Sequence, residues 1–252
     1  MAFGFDFKRE EEVKEYIENL GIEYRFGCFK EKKPQVCHLL GDYLESIKRD
    51  FEKAGKVYRS NCLDHNYGKS CLKIGNYTLI GKGLLTGDAE AALPYFEKGC
   101  ELGDPTSCLH AGLLLAGAGP NFKVKKDIPR GYNYLKKSCD ADDDKACQYL
   151  SGMYLVGVPR DYKNFNPHKP EENKNVDFLI KPNPKEAFKF ALKACECGNI
   201  YACANVSMMY NKGDGVEKNP ELAEKYKTIT LELQKASELT KELKFQQGLE
   251  NK

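Results

Sequence analysis

Residues 96 to 119 read FEKGCELGDPTSCLHAGLLLAGAG and contain two cysteines eight positions apart. Similar pairs occur four more times along the 252-residue chain. The separation is nine residues in the first two pairs and eight in the last three, and the pairs are Cys28 with Cys37, Cys62 with Cys71, Cys100 with Cys108, Cys139 with Cys147, and Cys195 with Cys203. Because the residues around each pair recur as well, the sequence predicts an internal repeat.

Each repeat has the pattern of a helix, a short turn and a second helix. An amphipathic segment such as AEAALPYFEKGC precedes each first cysteine, with apolar residues at helical spacing. Glycines near the end of the second segment in repeats two to five predict helix C-termini, because glycine adopts a positive φ at little cost. These glycines are Gly81, Gly83, Gly117, Gly119, Gly157, Gly213 and Gly215.

Two further features of the repeat predict local structure. A small residue four or five positions after the second cysteine is expected to let the neighbouring helix approach closely, and it is Gly41, Gly75, Gly112, Gly152 or Ser207. In the third repeat, Asp88 is the expected N-cap of the first helix. Pro105 is expected in the first turn of the second helix, where its missing amide costs least.

The pattern as a whole predicts an all-α fold, a right-handed solenoid of five disulfide-stapled helical hairpins with a C-terminal capping helix. We expect one array over residues 1–252, with a capping helix at 219–247 and repeats at about 9–49, 50–83, 88–119, 127–157 and 184–215. Residues 159–183 interrupt the last interval and are rich in proline, asparagine and charge. We expect an exposed loop there, although Phe178, Leu179 and Ile180 are apolar enough to dock on the array.

The charge balance narrows the classes of partner. Thirty-nine basic and thirty-seven acidic residues leave a net charge of +2, which does not favour binding to nucleic acid or to an anionic membrane. The acidic opening segment has the features of neither a secretory signal nor an arginine-rich targeting helix. Since no stretch of eighteen apolar residues occurs, we expect no membrane span.

A helical hairpin places one cysteine of each pair at the end of the first helix and the other at the start of the second. Their Cα atoms then approach the ~5.5 Å that a disulfide requires. The pattern favours five disulfides over reduced buried cysteines. Zinc ligation is disfavoured, because no CxxC occurs and the four histidines have no recurring place. The eleventh cysteine, Cys197, is either a small unpaired residue or a free thiol that exchanges with the adjacent bridge.

No catalytic motif stands out, so a scaffold or adaptor that binds protein is the default class. His38 and His110 lie close to Cys37 and Cys108; they are either haem ligands or, as favoured, ordinary packed helix residues. His65 and His168 receive no role. An enzymatic alternative needs an accessible nucleophile. Cys197 is the candidate for a thiol oxidoreductase, and we expect no serine–lysine pattern (SxxK) to support a penicillin-binding hydrolase.

The pattern of cysteine, turn, cysteine, small residue and paired glycine resembles the Sel-one-like repeat, a relative of the tetratricopeptide unit. Three segments make the cytochrome c oxidase assembly factor 7 family the closer resemblance. They are DFKREEEVKEYIENL (6–20), CHLLGDYLESIKRDFEKAGKVYRSNC (37–62) and KACECGNIYACANVSMMYNKGDGV (193–216). Residues 159–183 look extended relative to the usual spacing of that family.

The resemblance implies a location and a role. It implies a monomeric scaffold in the mitochondrial intermembrane space, imported by the disulfide relay without a cleaved presequence and binding protein clients during cytochrome c oxidase assembly. An alternative within the family is a thiol-disulfide or haem-handling factor acting on copper-delivery proteins. A second group of similar repeats implies a secreted bacterial cysteine-rich protein with penicillin-binding activity. No cofactor is expected, with haem as the alternative that the resemblance suggests.

Overall fold

The computed structural model describes residues 8–83, 86–117, 123–163, 165–167 and 169–246. Helices dominate this part of the chain and follow one another as hairpins, which agrees with the all-α prediction. They are α1 (Glu10–Phe29), α2 (Pro34–Ser46), α3 (Phe51–Leu63), α4 (Gly68–Ile80), α5 (Ala89–Glu101), α6 (Pro105–Ala116), α7 (Ile128–Asp140), α8 (Asp144–Val156), α9 (Pro184–Glu196), α10 (Ile200–Lys212) and the final α11 (Pro220–Gln246).

The turn inside each hairpin explains the two cysteine separations. Four residues join α1 to α2 and α3 to α4, whereas three residues join the two helices of the later hairpins. Each turn contains one residue with positive φ, which reverses the chain direction; these are Lys32, Asn66, Gly103, Asp142 and Gly198. The extra turn residue accounts for a separation of nine rather than eight.

Side chains in the turns cap the N-termini of the following helices. In the three-residue turns the last residue caps the next helix, since Asp104, Asp143 and Asn199 each accept a hydrogen bond from a backbone N–H of its first turn. Asp88 caps α5 in the same way, as predicted, and accepts from the N–H groups of Glu90 and Ala91. Pro105 begins α6, also as predicted.

Glycine ends four of the helices at the predicted places. Gly81, Gly117 and Gly213 are C-caps in the left-handed region, with φ of 72°, 75° and 84°. Gly157 ends α8 with φ 79° but an extended ψ of 164°, so the chain leaves this helix towards a strand. The predicted second glycine Gly119 lies outside the described residues.

In the first two repeats, the predicted small residue lies against an aromatic ring of the next hairpin. A Cβ built on Gly41 would overlap the ring of Tyr58, and one on Gly75 would lie 2.6 Å from Cε1 of Phe96. Both rings are fully buried. The second helix of one repeat therefore accepts an aromatic ring from the first helix of the next.

The prediction for Gly152 is wrong. No atom lies within 4 Å of a Cβ built on it. The equivalent contact in this repeat comes from Ser151, which is buried and donates a 2.8 Å hydrogen bond to the carbonyl of Ala187 on α9. Ser207 does the same in the last repeat, donating to the carbonyl of Ala223 on α11. A serine hydroxyl replaces the glycine–aromatic contact in this half of the chain.

The chain forms two compact units, residues 1–127 and 128–252. In the first unit the buried side chains are mostly apolar and aromatic, including Leu40, Tyr58, Ile74, Phe96 and Leu115. In the second they include Leu135, Leu150, Phe190, Val206 and Met209. The single continuous array over 1–252 stays a prediction.

The 159–183 segment largely follows the prediction: every described residue from 160 to 177 except Asn173 is exposed or half-buried, and Phe178, Leu179 and Ile180 are half-buried, as the docking alternative expected. Strand β1 (Val158–Pro159) is buried and pairs antiparallel with strand β2 (Phe178–Ile180). Between them, the buried Asn173 exchanges two hydrogen bonds with the backbone of Asn166. The strand pair thus holds the two ends of the segment together, and Asn173 links to Asn166 between them.

Among the described residues, no helix is both long enough and apolar enough to cross a bilayer.

Candidate functional site

A polar cluster joins the first two repeats and consists of Asp42 and Glu45 on α2, Tyr58 on α3, Lys73 on α4, and Lys82. The Tyr58 hydroxyl donates to Asp42 at 2.6 Å. The Lys73 ammonium lies 2.9 Å from Glu45 and 3.0 Å from Asp42. Lys82 contacts Glu45 at 2.5 Å. Two carboxylates and two ammonium groups therefore balance in charge around one buried aromatic ring.

The electrostatics of this cluster are set by its close pairs. Burial alone raises the pKa of Glu45, but the hydrogen bonds from Lys82 and Lys73 outweigh it and lower the pKa to about 2. Burial and the neighbouring carboxylate of Asp42 raise the pKa of Tyr58. At neutral pH the Glu45 carboxylate is thus ionised and the Tyr58 phenol is neutral, and their contacts link the two repeats.

A serine, a histidine and an aspartate meet beside this cluster. His38 Nδ1 lies 3.0 Å from Ser70 Oγ, and His38 Nε2 lies 3.6 Å from Asp42 Oδ2. The arrangement resembles a hydrolytic triad, but Ser70 is fully buried and also accepts a 2.8 Å hydrogen bond from Asn61. A nucleophile needs access to its substrate, so this trio is a packing feature.

Ser70 also begins a serine–lysine pattern, Ser70-Cys71-Leu72-Lys73, of the type used by penicillin-binding enzymes. The expectation that the chain has no serine–lysine pattern of this kind is therefore wrong. In the structure Ser70 is enclosed, Cys71 is held in a disulfide, and the ammonium of Lys73 is engaged by Asp42 and Glu45. The geometry therefore gives the penicillin-binding hypothesis no exposed serine at this pattern.

The structure joins each of the five predicted cysteine pairs. The Cα atoms of the pairs lie 4.5 to 4.7 Å apart, and all ten sulfurs belong to buried residues. Each bridge links the last turn of one helix to the first turn of its partner. In the chain-entropy model, closing a loop of about ten residues contributes roughly 2.7 kcal/mol.

Cys197 is the free cysteine, and it is half-buried. It occupies the first position of the α9–α10 turn, where the equivalent hairpins have Leu102 and Ala141. Burial and the carboxylate of Asp142 raise the pKa of its thiol, although Lys193 opposes them. A thiol with a raised pKa is a weak nucleophile at neutral pH. The surroundings of Cys197 therefore favour the unpaired-residue interpretation over thiol exchange.

The two haem candidates, His38 and His110, both contact other side chains. Both ring nitrogens of His38 face protein partners, which does not fit an axial ligand. The ring of His110 stacks on Phe96 with centroids 5.0 Å apart. His65 lies in the α3–α4 turn, and His168 is outside the described residues. No cluster of three or more potential metal ligands occurs in the described part of the chain.

The folded insertion creates a cavity of about 540 Å³ in the second unit. Its walls include Tyr132 on α7, Tyr154 on α8, and Leu179 and Ile180 of β2. The two tyrosine hydroxyls lie 2.9 Å apart, and burial raises the pKa of Tyr132. The sequence predicted that Leu179 and Ile180 could dock, but it did not indicate that they would lie beside Tyr132 and Tyr154.

Comparison with known proteins shows which family the chain is similar to. The Sel1 repeat model matches residues 34–56, 68–104, 108–143, 177–199 and 200–226. The chain is 48% identical over 262 aligned residues to the cytochrome c oxidase assembly factor 7 homolog of Drosophila melanogaster, covering 97% of this chain and 98% of that protein. It belongs to the cytochrome c oxidase assembly factor 7 family.

Other relatives extend the match. Cytochrome c oxidase assembly factor 7 of Xenopus tropicalis is 39% identical, over 97% of this chain and 99% of that protein. Among solved structures, a Sel1 repeat protein from Oxalobacter formigenes aligns with a TM-score of 0.60 and 21% identity, covering 77% of this chain and 69% of that chain. The last similarity shows the fold alone.

Proposed function

We propose that this protein is a non-enzymatic assembly factor for mitochondrial cytochrome c oxidase that works in the intermembrane space by binding client proteins on the surface of its helical hairpins. The observation that carries the proposal is the 48% identity along nearly the whole length of a protein bearing that name. Helical hairpin repeats offer large surfaces suited to protein partners.

The disulfides support the compartment in this proposal. Five buried bridges form and persist in an oxidising environment, whereas cytosolic thiols are kept reduced. A protein of this kind is trapped by oxidation after it crosses the outer membrane, so import through the disulfide relay accompanies the proposed location. The raised pKa of Cys197 supports binding rather than thiol catalysis. Haem plays no part in the proposal.

The test uses cells that lack their own assembly factor 7. Expression of this protein is expected to restore the amount of mature cytochrome c oxidase on native gels. In intact mitochondria the protein should resist added protease, and it should become sensitive once the outer membrane is ruptured. Unchanged oxidase levels would refute the assembly role. Resistance that persists after rupture would refute the location while leaving the role intact.

A further inference from the structure

An apolar stripe runs along the outside of α1. Ile22, Phe26 and Phe29 recur at i, i+4 and i+7, so they share one face of the helix. They are 60%, 58% and 63% exposed. Single exposed apolar residues are normal on protein surfaces, but a row of three that includes two aromatic rings is typical of an interaction surface.

The other repeats show that this stripe is not needed for folding. Measured from the first cysteine, the stripe occupies positions −6, −2 and +1 of the first helix. Ten of the twelve equivalent residues in the other four hairpins are polar or charged; the twelve are Lys56, Ser60, Leu63, Pro94, Lys98, Glu101, Asn133, Lys137, Asp140, Lys189, Lys193 and Glu196. Only the first repeat places three large apolar side chains there.

The stripe continues into a groove between α1 and α3. The groove has a volume of about 300 Å³, and Phe29 belongs to both features. Its apolar lining comes from Leu40 and Leu44 on α2 and from Val57 on α3. Stripe and groove together therefore form one apolar surface, which we call the α1 surface.

Cations border the groove end of the α1 surface. Arg25, Lys53 and Lys56 all line the groove. Lys53 and Lys56 pair only with residues of their own helix region, Asp50 and Glu52, while their side chains are 71% and 72% exposed. Such exposed pairs are weak and exchange readily.

Arg25 adds a further positive charge to this border. Among the described residues, no carboxylate forms an ion pair with Arg25, so its guanidinium is available to a carboxylate of a partner. Positive charge around an apolar floor is complementary to a partner that combines apolar anchors with acidic residues.

We infer that the α1 surface binds an acidic amphipathic helix of a client protein. Apolar residues of that helix at i, i+4 and i+7 lie along Ile22, Phe26 and Phe29, which is the helix-in-groove mode of recognition. Its carboxylates meet Arg25, Lys53 and Lys56. This inference rests on the proposed function, because it supplies the surface on which a client is held.

The binding test uses a synthetic helical peptide of about 16 residues, long enough to form a helix, with leucines at i, i+4 and i+7 flanked by glutamates. Fluorescence anisotropy should detect its binding to the full-length oxidised protein. Phe26→Glu should weaken binding at least about tenfold, as expected for an aromatic anchor. A matched peptide with lysines in place of the glutamates should also bind at least about tenfold more weakly.

The control variant is Ile80→Glu, because Ile80 is an apolar residue of similar exposure, 68%, that does not line the groove. It should bind the acidic peptide within about twofold of the unchanged protein. Intact mass and circular dichroism of each variant verify the disulfides and the fold. Equal binding by Phe26→Glu, or equal binding of the lysine peptide, would overturn the inference. Sedimentation showing a dimer that Phe26→Glu dissociates would also overturn it, because the occupant would then be a second copy.

The cellular assay separates this inference from the proposed function. If the unchanged protein restores cytochrome c oxidase and Phe26→Glu restores it equally well, the α1 surface is not the client site although the assembly role stands. If the unchanged protein restores nothing, the proposed function itself fails. Loss of rescue by Phe26→Glu but not by Ile80→Glu is the expected result.

Discussion

Replacing Glu45 by glutamine tests whether the polar cluster stabilises the interface of the first two repeats. The pKa of Glu45 falls from its ordinary 4.5 to about 2, which corresponds to roughly 3.4 kcal/mol at ~1.36 kcal/mol per pH unit. Its side chain is 16% exposed, so screening by water reduces the effect to about 2 kcal/mol. We expect Glu45→Gln to lower the free energy of unfolding by about that amount at pH 7.

The stability that Glu45 contributes should depend on pH in a definite direction. A carboxylate whose pKa is lower in the folded state contributes stability above its unfolded pKa, and that stability is lost as the pH falls through the folded pKa. The difference between the unchanged protein and Glu45→Gln should therefore be full above about pH 5 and should vanish towards about pH 2. The difference between the two proteins cancels the protonation of carboxylates that share no partner with Glu45, which leaves out Asp42 because it also pairs with Lys73.

Urea unfolding followed by circular dichroism at several pH values measures this difference. Glu52→Gln is the matched control, because Glu52 pairs with Lys56 on an exposed helix face at 2.6 Å and should cost less than ~0.5 kcal/mol. A difference for Glu45→Gln that is no larger than the control, or that does not change between pH 6 and pH 2, would refute the reasoning.

Three further predictions concern other parts of the chain. Alkylation without reductant should add one group, at Cys197, and addition of ten or eleven would contradict the disulfides. Gly75→Ala should lower the free energy of unfolding by about 1–3 kcal/mol, because the new Cβ meets the Phe96 ring. Gly152→Ala should raise it by about 0.5–1 kcal/mol. Thermal unfolding measures both, and the opposite order would be inconsistent with the described packing. Burial lowers the pKa of His38, so the free energy of unfolding should fall as the pH drops below about 6.5. His38→Gln should reduce that fall. The same pH dependence in the variant and the unchanged protein would contradict this prediction.

Much of the fold was readable from local signals. The cysteine spacing fixed five hairpins, because a disulfide across a short turn tolerates only a narrow range of separations. Asp88, Pro105 and the glycines at 81, 117 and 213 acted where predicted, since caps and left-handed residues depend on the few residues around them. These features need no knowledge of the rest of the chain.

Other features were predicted wrongly or not at all. Gly152 lies five residues after Cys147, whereas Ser151 lies four residues after it, as Ser207 does after Cys203, and Ser151 makes the contact. The composition of residues 159–183 did not reveal which strand Phe178, Leu179 and Ile180 would pair with. Ser70 and His38, thirty-two residues apart, meet because α2 and α4 both pack on α3.

The sequence alone therefore determined the repeat, the cysteine pairing and the family, because each depends on residues close together in the chain or on long identical segments. Tertiary structure decided which charges are buried, which thiol is a weak nucleophile, and which apolar residues stay exposed. Ile22 and Phe26 have the same helical spacing as core residues. Only the packing of α1 against α2 on its other face leaves them in solvent, where a partner can reach them.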